Sequence, residues 1–170
     1  GARISFILDG GPCAFGVEST ILDLRDERDP RVLRYGALPI EDIEVELGRS
    51  VEKPRPAGAA EPEQLLAPGA LPKHYSPRTP LELRGGIPLQ ELASLPASTA
   101  ALTLARPSQA LGENVFWLSE DGKLAEIATN LYAKLREIDD AGFSRILAEE
   151  APELGLGLAI NDRLRRASFQ

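Results

Sequence analysis

The stretch VFWLSEDGKLAEIATNLYAKLREIDDAGFSRILA, Val115 to Ala148, contains a strand, a helix and a second strand. Val115 to Leu118 is a short apolar run of strand length. Ile127 or Ala128, Leu131, Leu135 and Ile138 then recur on one helical face, while Glu126, Lys134 and Glu137 fall off it and Gly142 follows as a stop. Arg145 to Ala148 resumes as a strand. A helix between two strands is the crossover of a parallel sheet.

The same alternation extends outward in both directions. Leu81 to Leu83 reads as a short strand, Pro88 to Leu95 as a short helix and Thr99 to Leu104 as a strand. Gly155 to Gly157 reads as a turn, and Leu158 to Ala167 as a closing amphipathic helix whose basic last turn, Arg163, Arg165 and Arg166, suits the helix dipole. Residues 79–170 therefore form an α/β unit, a small and mostly parallel sheet with flanking helices.

Residues 49–78 differ in kind. Prolines at 54, 56, 62, 68, 72 and 77 and the Ala/Gly-rich run Ala57 to Ala60 remove backbone donors and fix φ, so the segment reads as an extended connector, either linker or lid. Residues 1–48 read as strand, strand, short strand and helix. Ile4 to Leu8 is a buried-type run before the turn Asp9-Gly10-Gly11-Pro12, and Ser19 to Leu24 is a second strand. Val32-Leu33-Arg34 can pair back on it antiparallel. Pro39 takes the first helical position, Ile40, Ile43 and Leu47 form the buried stripe, and Gly48 closes the helix. One such stripe cannot make a core alone, so residues 1–48 are expected to be the end of a larger domain, with exposed edges and apolar surface.

The chain has 170 residues and a net charge of −7. Residues 1–48 carry 5 basic and 10 acidic side chains, residues 49–78 carry 5 and 3, and residues 79–170 carry 9 and 13. Only the connector is basic, so no overall field favours nucleic acid and any polyanion is met locally. With one cysteine, Cys13, and one histidine, His74, the chain holds no internal disulfide and no cysteine or multi-histidine metal site. Its apolar runs are too short to span a bilayer and none forms a signal segment, so no membrane association and a cytoplasmic location are expected.

Three short peptides carry groups suited to binding. In Gly16-Val17-Glu18-Ser19-Thr20 the hydroxyls can meet a carboxylate or phosphate, or simply satisfy local backbone groups. In Leu33-Arg34-Tyr35-Gly36 the guanidinium can grip phosphate bidentately, or pair with Asp26, Glu27 or Asp29 at the surface. Lys73-His74-Tyr75-Ser76-Pro77 sets a cation, an imidazole and a phenol on a proline-stiffened loop, the group types that hold a purine nucleotide by charge and stacking. Gly10-Gly11, Gly85-Gly86 and Gly155 to Gly157 match no phosphate-binding fingerprint.

The order of these peptides, with Glu41-Asp42-Ile43-Glu44, Leu47-Gly48, Pro68-Gly69, Asn130-Leu131-Tyr132, Leu135-Arg136, Asp139 and Gly155 through Leu164, resembles the Sua5 branch of the YrdC/Sua5 family along the whole chain. The resemblance implies the end of a YrdC-like α/β catalytic domain (1–48), an interdomain linker or lid (49–78) and a Rossmann-like C-terminal domain (79–170). It implies a nucleotidyltransferase, L-threonylcarbamoyl-AMP synthase, which joins L-threonine, bicarbonate and ATP, the ATP accompanied by Mg2+, into threonylcarbamoyl-AMP and pyrophosphate. That product feeds t6A modification of tRNA through downstream proteins, an indirect link without direct nucleic-acid contact. Position by position, Ser19 matches the threonine-binding serine, Arg34 and Tyr75 match nucleotide-binding residues, and Lys73 and His74 match possible lid contacts. The family's usual N-terminal segment, with its Lys-Arg pair and further ATP and threonine ligands, is absent from these residues, so this chain alone is expected to be inactive. Tyr35 stands where proline is common, and Leu38-Pro39 where a capping threonine is usual. An alternative reading makes residues 79–170 a non-catalytic regulatory or partner-docking module.

Overall fold

The computed structural model describes residues 4–11, 13–54 and 76–168. Ten elements follow in order: β1 (Ile21–Asp23), β2 (Arg31–Arg34), α1 (Ile40–Leu47), β3 (Leu81–Arg84), α2 (Leu89–Ala93), β4 (Thr99–Ala105), β5 (Val115–Ser119), α3 (Leu124–Ala141), β6 (Arg145–Glu149) and α4 (Leu156–Ser168). They make two sheets. β1 and β2 form an antiparallel ribbon, and the other four strands form an all-parallel sheet in the order β3-β6-β4-β5.

In the parallel sheet the pleat divides the core by alternation. Ala100, Leu102, Ile146 and Ala148 face one layer with Ile127, Leu131, Leu135 and Ile138 of α3 and Ile160 and Leu164 of α4. Ala101, Leu147 and Val115 face the other with Ile87 and Leu92. With both faces covered, the middles of the two central strands, Ala100 to Leu102 and Ile146 to Ala148, are continuously apolar, as a parallel sheet requires. α3 ends as its sequence indicates, at Gly142 with φ +79°. On edge strand β5 the half-buried Trp117 donates its indole N–H to Glu120 at 3.1 Å and lies 5.1 Å beneath the Arg106 guanidinium.

β2 and α1 enclose a smaller cluster of Val32, Ile40, Ile43 and Val51, completed by Leu158 from α4. The chain after Gly48 stays on this ribbon, because Val32 N–H donates to the Glu52 carbonyl at 2.9 Å and Glu52 N–H to that of Pro30 at 3.0 Å. Pro39 precedes the helix instead of starting it: its ψ of 146° is extended, and no side chain caps α1. Glu41 and Asp42 in the first turn meet the helix dipole in place of a cap.

The strand expected at Ile4 to Leu8 is not formed. Phe6, Ile7 and Leu8 are 78, 75 and 89% exposed. An apolar run becomes a buried strand only beside strands that cover it, and no described residue pairs with it. Together with Phe15, Leu24, Leu38 and Val45 it gives the first section the apolar surface its sequence predicts.

Candidate functional site

The ribbon end is held by a backbone approach that excludes side chains. A Cβ on Gly36 would lie 2.2 Å from both the Ser19 carbonyl carbon and the Thr20 nitrogen, so only glycine fits against residues 18–20. Ala37 N–H donates to the Glu18 carbonyl at 2.9 Å. Thr20 Oγ1 donates to the Leu38 carbonyl at 2.7 Å and accepts Leu38 N–H at 3.2 Å. The hydroxyl of Thr20 therefore serves the backbone.

Ser19 and Arg34 are brought together. Arg34 donates from Nε and Nη2 to the Ser19 carbonyl at 3.1 and 3.0 Å, and from Nη2 to the Ser19 hydroxyl at 3.3 Å. Ser19 is exposed and Arg34 partly so. A guanidinium and a hydroxyl on one open edge can together meet an anion, the first by charge and the second by a directed hydrogen bond.

Glu18 turns inward, to a partner far along the chain. Its carboxylate accepts Nε of Arg163 in α4 at 2.8 Å, and Arg163 Nη2 also lies 2.8 Å from it while donating to the Tyr35 carbonyl at 3.1 Å. The Arg163 side chain is 4% exposed and that of Glu18 30%. Burial opposes the charge on each. For Glu18 the Arg163 guanidinium, a backbone hydrogen bond and the Arg34 charge together outweigh it and the carboxyl sits below its ordinary range; for Arg163 the charges of Glu18 and Asp162 hold the guanidinium protonated. Asp162 itself pairs with Arg163 and with Arg166 at 3.0 Å. Tyr35 packs against both clusters, and burial, reinforced by Glu153 and Asp162, pushes its phenol up.

Arg163 therefore belongs to the interior and not to a solvated basic last turn. Its spacing from Ile160, Leu164 and Ala167 sets it on the buried face of α4, which is the sequence signal for its burial. Nothing local in sequence names Glu18 as its partner, 145 positions away. Gly16 is fitted as tightly, since a Cβ there would lie 2.0 Å from the Ala128 carbonyl oxygen of α3, and Val17 joins the main core.

Lys73, His74 and Tyr75 lie outside the described residues. The next residue, Ser76, donates to the Arg166 carbonyl of α4 at 3.0 Å. Arg78 then pairs with Asp139 and Asp140, while Thr79 donates its N–H and hydroxyl to Asp139 at 2.8 and 2.9 Å. Among the described residues no group of three or more His, Cys, Asp or Glu could hold a metal ion, and no helix is long and apolar enough to cross a membrane.

The protein family described as threonylcarbamoyl-AMP synthase, C-terminal domain, matches residues 38–168. The threonylcarbamoyl-AMP synthase of Pyrococcus abyssi is 36% identical over 173 residues, covering 98% of this chain and 50% of that protein. That of Bacillus subtilis is 33% identical over 174 residues, covering 98% and 49%. The chain spans about half the length of the curated relatives it matches. The crystal structure of P. abyssi Sua5 complexed with L-threonine superposes with a TM-score of 0.81 at 33% identity, over 98% of this chain and 50% of that one. A variant of the same protein, with a histidine and the tyrosine after it both changed to alanine, gives a TM-score of 0.74 at 31% identity, over 94% and 47%.

Proposed function

Because this chain belongs to the family of the threonylcarbamoyl-AMP synthase C-terminal domain, we propose that it is the C-terminal half of such a synthase and carries part of its active site. The whole protein would convert L-threonine, bicarbonate and ATP into threonylcarbamoyl-AMP, pyrophosphate and water. In this reading residues 1–48 close the catalytic domain, 49–78 link or cover it, and 79–170 are the Rossmann-like accessory domain. Ser19 contacts L-threonine. Arg34 and Tyr75 contact the nucleotide, with Lys73 and His74 as lid contacts. Mg2+ enters with ATP as part of the substrate. The product leaves for downstream tRNA-modifying proteins, with no direct nucleic-acid contact by this chain, in the cytoplasm.

The observation that supports this most is the Ser19–Arg34 pair, a hydroxyl and a guanidinium 3.3 Å apart on one open edge. A second support is the single histidine of this chain, which is followed by tyrosine as His74-Tyr75, like the His-Tyr pair replaced in the Pyrococcus variant. Positioning three reactants needs contacts from several directions, so one edge alone does not assemble the reaction. In the full-length protein, Arg34→Ala is expected to lower kcat/KM for ATP about a hundredfold. Ser19→Ala is expected to weaken L-threonine binding about tenfold. Residues 1–170 alone are expected to release no pyrophosphate from ATP and L-threonine. Threonine-dependent release by that chain, or a full-length Ser19→Ala, Arg34→Ala enzyme with parental kinetics, overturns the reading.

A regulatory role for residues 79–170 draws on the burial of Arg163 against Glu18. A full-length protein lacking residues 79–170 that keeps parental activity, affinity and partner binding removes that role.

A further inference from the structure

We infer that Arg163, on the accessory side of the molecule, is a positioning residue for the substrate-binding edge, acting through Glu18 and the Tyr35 carbonyl. The inference rests on the reading of Ser19 and Arg34 as substrate contacts. Glu18 is the residue before Ser19, and Tyr35 is the residue after Arg34. One guanidinium holds both, with Nε on the Glu18 carboxylate at 2.8 Å and Nη2 on the Tyr35 carbonyl at 3.1 Å. The two segments that carry the binding groups are thus fixed to α4 from behind by a single planar fork.

Chemistry makes this fork hard to replace. Lysine presents one compact charge and cannot aim two fixed donors at a carboxylate and a carbonyl together. Glu18 is two-thirds covered and Arg163 almost wholly so, so loss of one partner leaves the other a largely covered charge without its counter-ion at that contact. Asp162 braces the guanidinium from its far side, which leaves the fork little freedom to swing. Meanwhile Gly36 lies flush on residues 18–20, so a shift of the Tyr35 carbonyl moves the Ser19 backbone with it. Arg163 bonds to Glu18, the Tyr35 carbonyl and Asp162, so its hold on Ser19 and Arg34 runs through their chain neighbours and through the Glu18 carboxylate, whose charge Arg34 also feels.

The test uses the full-length protein and reads the dissociation constant of L-threonine by calorimetry, well below the melting temperature. Arg163→Lys and Glu18→Gln are each expected to weaken binding about tenfold, the scale of one substrate hydrogen bond lost. Because each substitution breaks the Glu18–Arg163 contact that joins the two segments to α4, the double variant is expected to bind no more weakly than the worse single one. Arg165→Gln, which removes a neighbouring α4 arginine paired with Glu150 and Glu153, is expected to bind as the parent does. A residue that only supports the fold would lower the melting temperature and leave the dissociation constant of the folded protein unchanged, and that outcome overturns the inference. Additive losses in the double variant overturn it as well. If Arg163→Lys fails to fold, Glu18→Gln decides alone, since it is isosteric and lies on a partly exposed side chain. Ser19→Ala separates the two claims. Weakened binding in Ser19→Ala beside parental binding in Arg163→Lys and Glu18→Gln removes only the positioning role, whereas parental binding in Ser19→Ala removes the site reading and this inference with it.

Discussion

Gly36 and Asp139 are single positions where the geometry fixes both the sign and the scale of a substitution. A methyl group on Gly36 would meet backbone at 2.2 Å, and backbone cannot turn aside as the end of a side chain can. Gly36→Ala is expected to cost about 2–3 kcal/mol, read as a lowered urea midpoint with an unchanged slope. At Asp139 burial opposes the charge, but the Thr79 N–H and the Arg78 guanidinium outweigh it, and the carboxyl titrates at about 2 instead of 3.8. A folded-state value below the unfolded one adds stability that is fully present above pH 3.8 and is lost as the pH falls through about 2. Asp139→Asn is therefore expected to be less stable than the parent near neutrality and to converge with it towards that acid limit, in urea unfolding at a series of pH values. The placement of Arg34 at the end of β2 and of Ser19 just before β1 was legible at this scale, because their motifs lie at strand boundaries. Arg163 was legible only as a helix position, since pairing across 145 residues leaves no local mark.

Asn161 shows how an element is joined to its neighbour. Fully buried, it accepts the Ala151 N–H at 2.7 Å and donates to the Ala151 carbonyl at 2.8 Å and to Glu153 at 2.9 Å, closing the turn from β6 into α4. Asn161→Ala leaves two buried backbone groups without this partner, at about 1–3 kcal/mol each. Its expected signature is a lower Tm and faster amide exchange in β6 and α4. The helices and parallel strands of residues 79–170 could be read in sequence because each rests on a periodicity local to itself. Their order could not. β6 enters between β3 and β4 although it is last in sequence, and four apolar strands of similar composition do not encode which lies central. The run Ile4 to Leu8 failed for the opposite reason: its composition suits a strand, but pairing needs a neighbour that composition does not supply.

Across the whole molecule the ribbon and the parallel sheet are fastened at several points: Gly16 and Val17 on α3, Leu158 in the ribbon's cluster, Gly155 N–H on Glu41 at 3.1 Å, and Glu18 on Arg163. None of these contacts is local in sequence, so only the fold reveals them. The ionic one has a pH dependence of known sign. The folded-state pKa of Glu18 is lowered, so its contribution is complete above its ordinary value of 4.5 and fades as the pH falls through the lower folded one. Acidification is therefore expected to loosen the ribbon from α4, and Glu18→Gln to lessen that acid sensitivity, as followed by amide hydrogen exchange in β1, β2 and α4 at a series of pH values. Trp117 decides what optical spectroscopy can see of this. As the only indole in the chain it reports from edge strand β5, between the Arg106 guanidinium and the Glu120 carboxylate. Its emission follows the parallel sheet and is silent when the ribbon alone lifts away, so an acid transition seen in circular dichroism but absent from indole fluorescence would be the signature of that release.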